Sequence, residues 1–211
     1  MLSVNQVYKS FNRYNVLKGI SFTQKQGEII ALMGNNGSGK TTLLRIIARI
    51  MKSDSGAISF QENDLLSNNS LYRKDILYLG HDPGMYSYLT AKENLHFSLT
   101  LRREVVSKKM IEESLDRYEL SHFANEPIAV FSKGMLQKLK LVHADLVSWK
   151  LLLFDEPFTG LDQSGIDLVD RLINKWKNNN KSVIMVLHNK KRAEEYAHTR
   201  LIINSGRIDL A

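Results

Sequence analysis

The spacing of apolar residues changes twice along this chain of 211 residues. The first third contains short apolar or alternating runs, bounded by Gly, Asn or Lys, that predict β-strands. In the middle, at about residues 86–148, apolar residues recur at helical spacing instead. The last third returns to continuous apolar runs, such as "LLLF" and "VIMVL", which are typical of buried parallel strands. The pattern predicts an α/β fold with a strand-rich front and a helical insertion.

The individual elements follow from the same pattern. Thr90 and Glu93 have the spacing of a capping box, which predicts the start of a helix. Ile111 and Leu115 lie four positions apart and predict the buried face of a second helix, and a third is expected from about Ser132. The predicted strands are 3–11, 16–24, 27–34, 55–61, 150–157 and 181–189, and the predicted helices are 41–52, 90–103, 107–120 and 132–147.

Composition and charge narrow the class of protein. Hydrophobic residues make up 43% and charged residues 24%, as in an ordinary globular domain, and the lack of cysteine excludes disulfides and thiolate metal sites. The sequence shows neither a signal-peptide pattern nor a run of about 18 apolar residues, so no bilayer span is expected. The net charge of +7 is densest at 101–109 and 189–192. Because no aromatic residues interleave these runs, we interpret them as solvated helix faces or a mild attraction to anionic lipid, not as a nucleic-acid surface.

The stretch "GNNGSGKTT" matches the pattern of a phosphate-binding loop and lies between a predicted strand and a predicted helix. We expect its backbone N–H groups and the helix N-terminus to bind phosphate. Lys40 is expected to contact the β- and γ-phosphates of a nucleotide, and the Thr41 hydroxyl to bind Mg²⁺. The predicted nucleotide-binding residues of this loop are Gly34, Asn35, Asn36, Gly37, Ser38, Gly39, Lys40, Thr41 and Thr42.

Two adjacent carboxylates, Asp155 and Glu156, follow the apolar run "LLLF". They are therefore expected at the carboxyl end of a buried strand, where an open α/β sheet binds its ligand. Asp155 suits a position in the Mg²⁺ shell, and Glu156 suits the general base that orients an attacking water. A GTPase is excluded, because Arg192 occupies the position at which a guanine-reading Asn-Lys-x-Asp motif needs aspartate.

Three further stretches, "FSKGMLQKLKL", "LLLFDEPFTGLD" and "MVLHN", follow the loop in the order and approximate spacing seen in ABC-type ATPases, which the chain resembles over nearly its whole length. The resemblance implies a P-loop (RecA-like) parallel-sheet core with an N-terminal antiparallel β subdomain, together about residues 1–85 and 149–211. An inserted helical subdomain would occupy residues 86–148. The resemblance also implies ATP and Mg²⁺ as ligands, with Phe11 stacked on the adenine and Tyr14 as a second candidate for that contact.

A site shared between two copies of the chain is implied as well. Ser132 and Gly134, at a helix start, would meet the γ-phosphate of ATP held by a second subunit. The signature residues expected to act across the dimer are Ser132, Lys133, Gly134, Met135 and Asp162. Asp162 would lie in the loop that communicates across that dimer, and His188 would contact the γ-phosphate. Because Ser132 lies far beyond Lys40, behind a helical insertion, a head-to-tail homodimer closed by ATP explains both halves of the site.

Two positions depart from the usual motifs of that family. The signature Leu-Ser-Gly-Gly-Gln stands here as "FSKGM" and lacks the glutamine, although a lysine beside phosphate is compatible with function. In the segment that joins the core to the helical block, His81 replaces a glutamine that senses Mg²⁺ and the attacking water. An imidazole can bind a metal or orient water, so His81 is a candidate for both roles, with added pH sensitivity near neutrality.

The stretches "YLGHDPGMYSYLTAKENLHF" and "DEPFTGLDQSG" resemble the ATPase subunit of the haem exporter of bacterial cytochrome c maturation. The resemblance implies integral membrane permease subunits as partners, which would dock near residues 81–88, and no nucleic acid is expected. It also implies a peripheral position on the cytoplasmic face of the inner (plasma) membrane. Alternatives are another small ABC exporter, a soluble ABC ATPase acting on DNA or ribosomes, and an inactive ATP sensor. Missing heptads and a missing second P-loop disfavour the soluble ATPase, and intact Lys40, Asp155, Glu156 and His188 disfavour the sensor.

Overall fold

A computed structural model describes residues 1–66, 74–82 and 84–210. The chain folds into two compact units. The first unit comprises Met1–Gly80, Lys150–Pro157 and Arg171–Ala211, and the second comprises His81–Trp149 and Phe158–Asp170. The segment Phe158–Asp170, which the sequence division groups with the core, is therefore part of the second unit.

The secondary structure alternates between strands and helices. In chain order the elements are β1 (Leu2–Phe11), β2 (Tyr14–Gln24), β3 (Ile29–Met33), α1 (Lys40–Ile47), β4 (Ser55–Phe60), β5 (Asn63–Asp64), β6 (Ile76–Leu79), α2 (Ala91–Leu101), α3 (Lys108–Arg117), α4 (Lys133–Leu146), β7 (Leu151–Asp155), α5 (Gln163–Asn178), β8 (Ser182–Val186), α6 (Lys190–Tyr196), β9 (Thr199–Asn204) and β10 (Arg207–Leu210). Among the helices of the described residues, none has the length and apolarity that a bilayer span needs.

The first unit contains two sheets. The antiparallel sheet has the strand order β2-β1-β4-β5, and the six-stranded sheet has the order β10-β9-β3-β8-β7-β6. Pairing within the larger sheet is parallel, except that β10 runs antiparallel to β9. Every residue of β7 and β8 is buried, as expected for parallel strands covered on both faces. The predicted α/β fold with an N-terminal antiparallel sheet is confirmed.

This topology determines where polar side chains gather. Because β3, β8 and β7 are parallel neighbours, the residues that follow them meet at one edge of the sheet. The phosphate-binding loop follows β3, Glu156 follows β7, and His188 lies two residues beyond β8. Below this edge, buried side chains of α1 and of both sheets form one continuous apolar core, which includes Ile20, Leu32, Leu43, Ile58, Leu153 and Val186.

The second unit has the helix starts that the sequence predicts. Thr90 Oγ1 accepts a hydrogen bond from the Glu93 N–H at 3.2 Å, and Glu93 Oε2 accepts one from the Thr90 N–H at 2.8 Å, which completes a capping box before α2. Ile111 and Leu115 of α3 are buried, and Ser132 caps α4. These three predictions are confirmed.

The end of α1 differs from the predicted helix over 41–52. Arg49 takes a left-handed backbone with φ +58°, and its N–H donates to the Ile46 carbonyl oxygen. The Ile50 N–H donates to the Arg45 carbonyl oxygen, which completes a Schellman motif that ends the helix at Ile47. The prediction was wrong here, because apolar residues continue at helical spacing beyond the turn. The strands β6, β9 and β10, at 76–79 and within 199–210, were not predicted from the sequence pattern.

Candidate nucleotide-binding and catalytic site

Neighbouring atoms lie close to both ends of the loop between β3 and α1. Gly34 has φ +135°, and a Cβ there would lie 2.2 Å from the Ile203 carbonyl oxygen. Gly39 has φ +106°, and a Cβ there would lie 2.7 Å from Leu17 Cδ2. Gly37, at φ +77°, has open space around the same position. Backbone atoms therefore leave no room for a side chain at Gly34, whereas Gly39 and Gly37 are favoured chiefly by their positive φ.

Lys40 places a positive charge within this loop. Its buried Nζ donates to the carbonyl oxygens of Gly34 at 2.9 Å and Asn35 at 2.8 Å. Burial lowers the pKa of Lys40, while the nearby charges of Glu156 and Asp155 act in the opposite direction. The ammonium group thus lies beside the N-terminus of α1 and in the field of both carboxylates. An ammonium group and a helix N-terminus together suit the binding of an anion such as a phosphate.

Glu156 and His188 form a hydrogen-bonded pair at the edge of the sheet. Glu156 Oε1 lies 3.0 Å from His188 Nε2. Glu156 also has φ +55°, a conformation that costs a non-glycine residue about 1 kcal/mol and is found preferentially at functional sites. Both side chains remain partly exposed to solvent, at 31% for Glu156 and 48% for His188. The pair therefore combines a solvent-accessible carboxylate with a group that orients it, as a general base requires.

The sequence analysis missed Tyr78, which contacts the neighbouring carboxylate. The Tyr78 hydroxyl lies 3.5 Å from Asp155 Oδ2, at the long limit of a hydrogen bond, and it also bonds to Arg45. Burial raises the pKa of Tyr78, and Arg45 opposes that shift. Asp155 itself is 3% exposed at the end of β7. The sequence does contain a signal for this contact, the tyrosine within the apolar run "ILYL". A buried tyrosine hydroxyl needs a hydrogen-bond partner, so a polar group should lie nearby.

The two aromatic candidates for adenine stacking lie opposite each other at the β1–β2 turn. Phe11 is paired with Tyr14, and the side chains are 42% and 80% exposed. Phe11 is therefore not a core residue, and Lys9 Nζ lies 5.5 Å from the centroid of its ring. Val16 lies two residues beyond Tyr14, and its Cγ1 is 3.1 Å from the place where a Cβ at Gly39 would lie. The turn thus leads directly to the end of the phosphate-binding loop.

The atoms expected to bind Mg²⁺ are two side-chain oxygens, one at the start of a helix and one at the end of a strand. Thr41 lies in the first turn of α1, and Asp155 ends β7. Hydroxyl and carboxylate oxygens fit Mg²⁺, which proteins bind through one or two side chains together with substrate phosphates. Groups of three or more His, Cys, Asp or Glu that could hold a metal are not found among the described residues. His81 begins the second unit, where its carbonyl oxygen accepts a hydrogen bond from Lys140 Nζ at 2.9 Å; its metal or water contact stays a prediction.

The signature residues begin α4 in the second unit. Ser132 Oγ accepts a hydrogen bond from the Met135 N–H at 3.1 Å. A Cβ at Gly134 would lie 2.8 Å from the Gly160 carbonyl oxygen, and one at Gly160 would lie 2.9 Å from the Lys133 Cβ. The first turn of α4 and the loop at Gly160 therefore approach through their backbones. Gly160 was not predicted as a site residue. The stretch "FTGLD", in which it precedes the predicted Asp162 by two positions, is the sequence feature that could have indicated it.

Asp162 and the expected docking segment also lie in the second unit. Asp162 Oδ1 accepts hydrogen bonds from the Gly165 N–H at 2.9 Å and from Ser164 Oγ at 3.1 Å, which places it at the start of α5. The Gly165 N–H is the main cause that holds the pKa of Asp162 below its usual range. Of residues 81–88, Pro83 lies outside the described residues. Tyr88 in that segment is 91% exposed.

Comparison with known proteins identifies relatives over most of the chain. The profile of the ABC transporter family matches residues 17–159. The cytochrome c biogenesis ATP-binding export protein CcmA of Vibrio cholerae is 32% identical, with 89% of this chain and 91% of the relative covered. The ABC-type transporter ATP-binding protein EcsA of Bacillus subtilis is 33% identical, over 99% and 85% of the two chains. NatA of the same organism, an ABC transporter ATP-binding protein, is 30% identical over 91% and 79%.

Solved structures show the same fold. The ATP-binding subunit of an ABC transporter has a TM-score of 0.87 and 31% identity, with 99% of this chain and 88% of that chain covered. A dimeric ATP-binding cassette in a post-hydrolysis state, bound to ADP and Pi, has a TM-score of 0.88 and 25% identity over 99% and 97%. With the phosphate-binding loop and the Glu156–His188 pair, these matches lead to one conclusion: the chain belongs to the ABC transporter family and is an ATP-hydrolysing motor subunit.

Proposed function

We propose that this ATPase drives haem-linked export in bacterial cytochrome c maturation, docked on separate permease subunits at the cytoplasmic face of the inner membrane. Support for the pathway comes from similarity along the whole chain. CcmA of Escherichia coli O157:H7 is 30% identical over 98% of both chains. The stretch around His81 carries the same resemblance. Support for the motor comes from one observation above all, the contact of Glu156 Oε1 with His188 Nε2 at the end of β7.

In the proposed reaction the chain's own groups bind and orient the substrate. The N–H groups of the loop and the N-terminus of α1 bind the phosphates of ATP, and Lys40 exchanges its bonds to the loop carbonyls for bonds to phosphate oxygens. Thr41 and Asp155 would hold Mg²⁺, which would supply positive charge beside the phosphates. Glu156 orients the attacking water and accepts its proton, and His188 holds the carboxylate in place. Phe11 or Tyr14 stacks on the adenine.

The proposed active state is a head-to-tail dimer of two copies. In it the N-terminus of α4 binds the γ-phosphate of ATP held by the other copy, with Ser132 and Gly134 supplying the contacts. Ser132 already fixes the helix start by accepting the Met135 N–H. Gly134 has no side chain, and the backbone of Gly160 can therefore approach that turn closely. Asp162 would lie in the loop that communicates between the copies.

The Glu156→Gln variant tests the catalytic assignment. An amide cannot accept the proton of the attacking water, so kcat for ATP hydrolysis should fall about 10³-fold while ATP binding is kept. Hydrolysis is measured as phosphate release, and binding is measured with a fluorescent ATP analogue. Glu194→Gln, at an exposed glutamate that pairs with Arg200, is the matched control and should retain full activity. Turnover of Glu156→Gln near the wild-type rate would show that another group is the base.

The same variant tests the pathway. Tagged Glu156→Gln, expressed in the native host and isolated with ATP and Mg²⁺, should retain its membrane partners because ATP is not consumed. Mass spectrometry should then identify a polytopic membrane protein together with haem-handling factors, and the preparation should show haem absorbance. Ribosomal proteins or DNA-bound factors, without a membrane subunit, would reject the transporter role.

A second candidate is another small ABC exporter. It is favoured by EcsA, which matches 99% of this chain at an identity as high as that of the CcmA proteins. Isolation of Glu156→Gln with a permease but without haem-handling factors would support this candidate. That outcome would leave the catalytic assignment unchanged and remove the haem pathway.

A further inference from the structure

The turn between α2 and α3, together with the last residue of α2 and the first three residues of α3 (residues 101–110), exposes apolar side chains next to cations; we call this segment the basic turn. Its exposed apolar residues are Leu101 (69% exposed), Val105 (99%) and Met110 (48%), and its exposed cations are Arg103, Lys108 and Lys109. All of them lie in the second unit. A fully exposed valine contributes nothing to the apolar core. The basic turn therefore offers apolar side chains that the core of the unit does not use.

Three local features of the basic turn oppose the stability of the fold. Lys108 and Lys109 occupy the first turn of α3, which contains no acidic residue, although the helix dipole favours negative charge there. Arg103 takes a left-handed backbone with φ +57°, which is unfavourable for a side chain of that size. Val105 exposes its whole side chain. Departures from local preference of this kind concentrate at functional surfaces.

The nearby acidic residues are already engaged. Glu104 Oε1 accepts a hydrogen bond from the Ser148 N–H at 2.9 Å, and Glu112 pairs with Lys92 at 2.8 Å. Glu113 lies 3.8 Å from Lys109, which is 84% exposed, so that pair is weak. Residues 101–110 contain Arg102, Arg103, Lys108 and Lys109 but only one carboxylate, Glu104, so the basic turn carries a net positive charge.

We propose that the basic turn contacts the anionic surface of a lipid bilayer, an inference that rests on the proposed function at a membrane. Val105 and Leu101 enter the headgroup region, while Arg103, Lys108 and Lys109 contact lipid phosphates. Exposed aliphatic side chains ringed by Lys and Arg are what an interfacial membrane contact requires. A protein interface would favour aromatic residues over lysine. Phosphate contacts to nucleic acid would leave the exposed aliphatic side chains without a partner.

The chain contains a matched comparison surface. Residues 189–192, at the start of α6, are as rich in cations, with Lys190 and Lys191 exposed. None of the exposed large apolar residues of the described chain lies in this segment. If attraction to lipid were due to charge alone, both segments would contribute equally. The proposal requires that the basic turn dominate.

A tryptophan at position 105 reports directly on lipid contact. Trp149 and Trp176 are only 5% and 4% exposed, so a new indole in Val105→Trp should dominate any change in fluorescence. With vesicles of phosphatidylcholine containing about 30% phosphatidylglycerol, its emission should shift to the blue, and vesicles of phosphatidylcholine alone should cause little shift. Val130→Trp, at a 64% exposed position of the same unit, is the control and should not shift. Equal shifts at both positions, or no shift at Val105→Trp, would overturn the proposal.

Charge removal provides a second, independent measurement. Each lysine near an anionic surface strengthens binding about fivefold, so Lys108→Gln/Lys109→Gln should weaken binding to the anionic vesicles, measured by co-flotation, by about 25-fold. Lys190→Gln/Lys191→Gln should weaken it by less than about threefold, through net charge only. Equal losses in the two double variants would overturn the proposal.

The vesicles contain no permease and no ATP, so failure of this inference is distinct from failure of the proposed function. The proposed function predicts that Lys108→Gln/Lys109→Gln retains ATP hydrolysis, because neither lysine belongs to the catalytic site. If that double variant binds vesicles normally but no longer copurifies with a permease, the basic turn is a protein-docking surface. The lipid proposal would then be wrong while the motor assignment held.

Discussion

Gly34 and Gly37 lie in one loop and both have positive φ, but their surroundings differ. A Cβ at Gly34 would lie 2.2 Å from the backbone of Ile203, whereas a Cβ at Gly37 meets nothing within 4 Å. Gly37→Ala should therefore cost about 1 kcal/mol through its backbone conformation alone. Gly34→Ala should cost about 3 kcal/mol, because the carbonyl of a β9 residue cannot move aside cheaply. Urea unfolding of both variants measures the difference, and equal losses would show that the contact with Ile203 does not matter.

Residue identity was more predictable than residue conformation. The motifs predicted a phosphate-binding loop and two carboxylates after a buried strand, and the structure places both at the carboxyl edge of the parallel sheet. The left-handed backbone of Glu156 and its contact with His188 were not predictable, because they depend on β7 and β8 being neighbours. The contact of Tyr78 with Asp155 depends on β6 lying next to β7 in the same way. A motif defines the chemistry available, and strand order decides which groups meet.

At the scale of elements, Arg49 ends α1 at a cost in backbone energy. Its left-handed conformation, φ +58°, is the one that glycine adopts most readily at this position of a Schellman motif. Arg49→Gly should therefore raise the free energy of unfolding by about 1 kcal/mol. Arg49→Ala, which removes the same side chain without relieving the backbone, is the matched control and should not stabilise the protein. Thermal and urea unfolding of the two variants test this, and equal stabilities would mean that the backbone strain is negligible.

The contact between α2 and α4 makes the second unit sensitive to acid. His143 Nε2 lies 2.7 Å from Ser98 Oγ, and burial, with a smaller effect of the Arg102 charge, lowers the pKa of His143 to about 4 from 6.5. The imidazole of the unfolded chain therefore binds a proton more tightly than that of the folded chain. The stability that is present above the pKa of the unfolded state is lost as the pH falls towards the pKa of the folded state. Between pH 7 and pH 5 the expected loss is about 2 kcal/mol. Urea unfolding at both pH values should show a smaller loss in His143→Gln; an equal loss would mean that other groups are responsible.

Element boundaries were predictable where a side chain makes the boundary. The caps at Thr90 and Ser132 act through their own hydroxyl groups, so the sequence shows them directly. The end of α1 was not predictable, because an arginine replaces the glycine that usually signals it. The strand β6 was missed because four apolar residues have no periodicity of their own, and its identity follows from pairing with β7.

At the scale of the whole molecule, the predicted site is distributed over two units of the chain. Lys40, Glu156 and His188 belong to the first unit, whereas Ser132 and Asp162 belong to the second. A head-to-tail dimer would let each copy supply one half of a site. If so, blocking hydrolysis should trap the dimer, since ATP would then hold the two copies together. Glu156→Gln with ATP and Mg²⁺ should shift from a chain mass of 24.2 kDa to twice that mass in light scattering.

The decisive comparison adds a second substitution in the other unit. Ser132→Arg in the Glu156→Gln background places a bulky cation at the N-terminus of α4, where it should prevent closure on a second copy. Since Ser132 is not part of the phosphate-binding loop, the double variant should still bind a fluorescent ATP analogue while remaining a monomer. Ser121→Arg, at another exposed serine of the same unit, should leave the dimer intact. A Ser132→Arg double variant that dimerises normally would show that the copies do not share a site through α4.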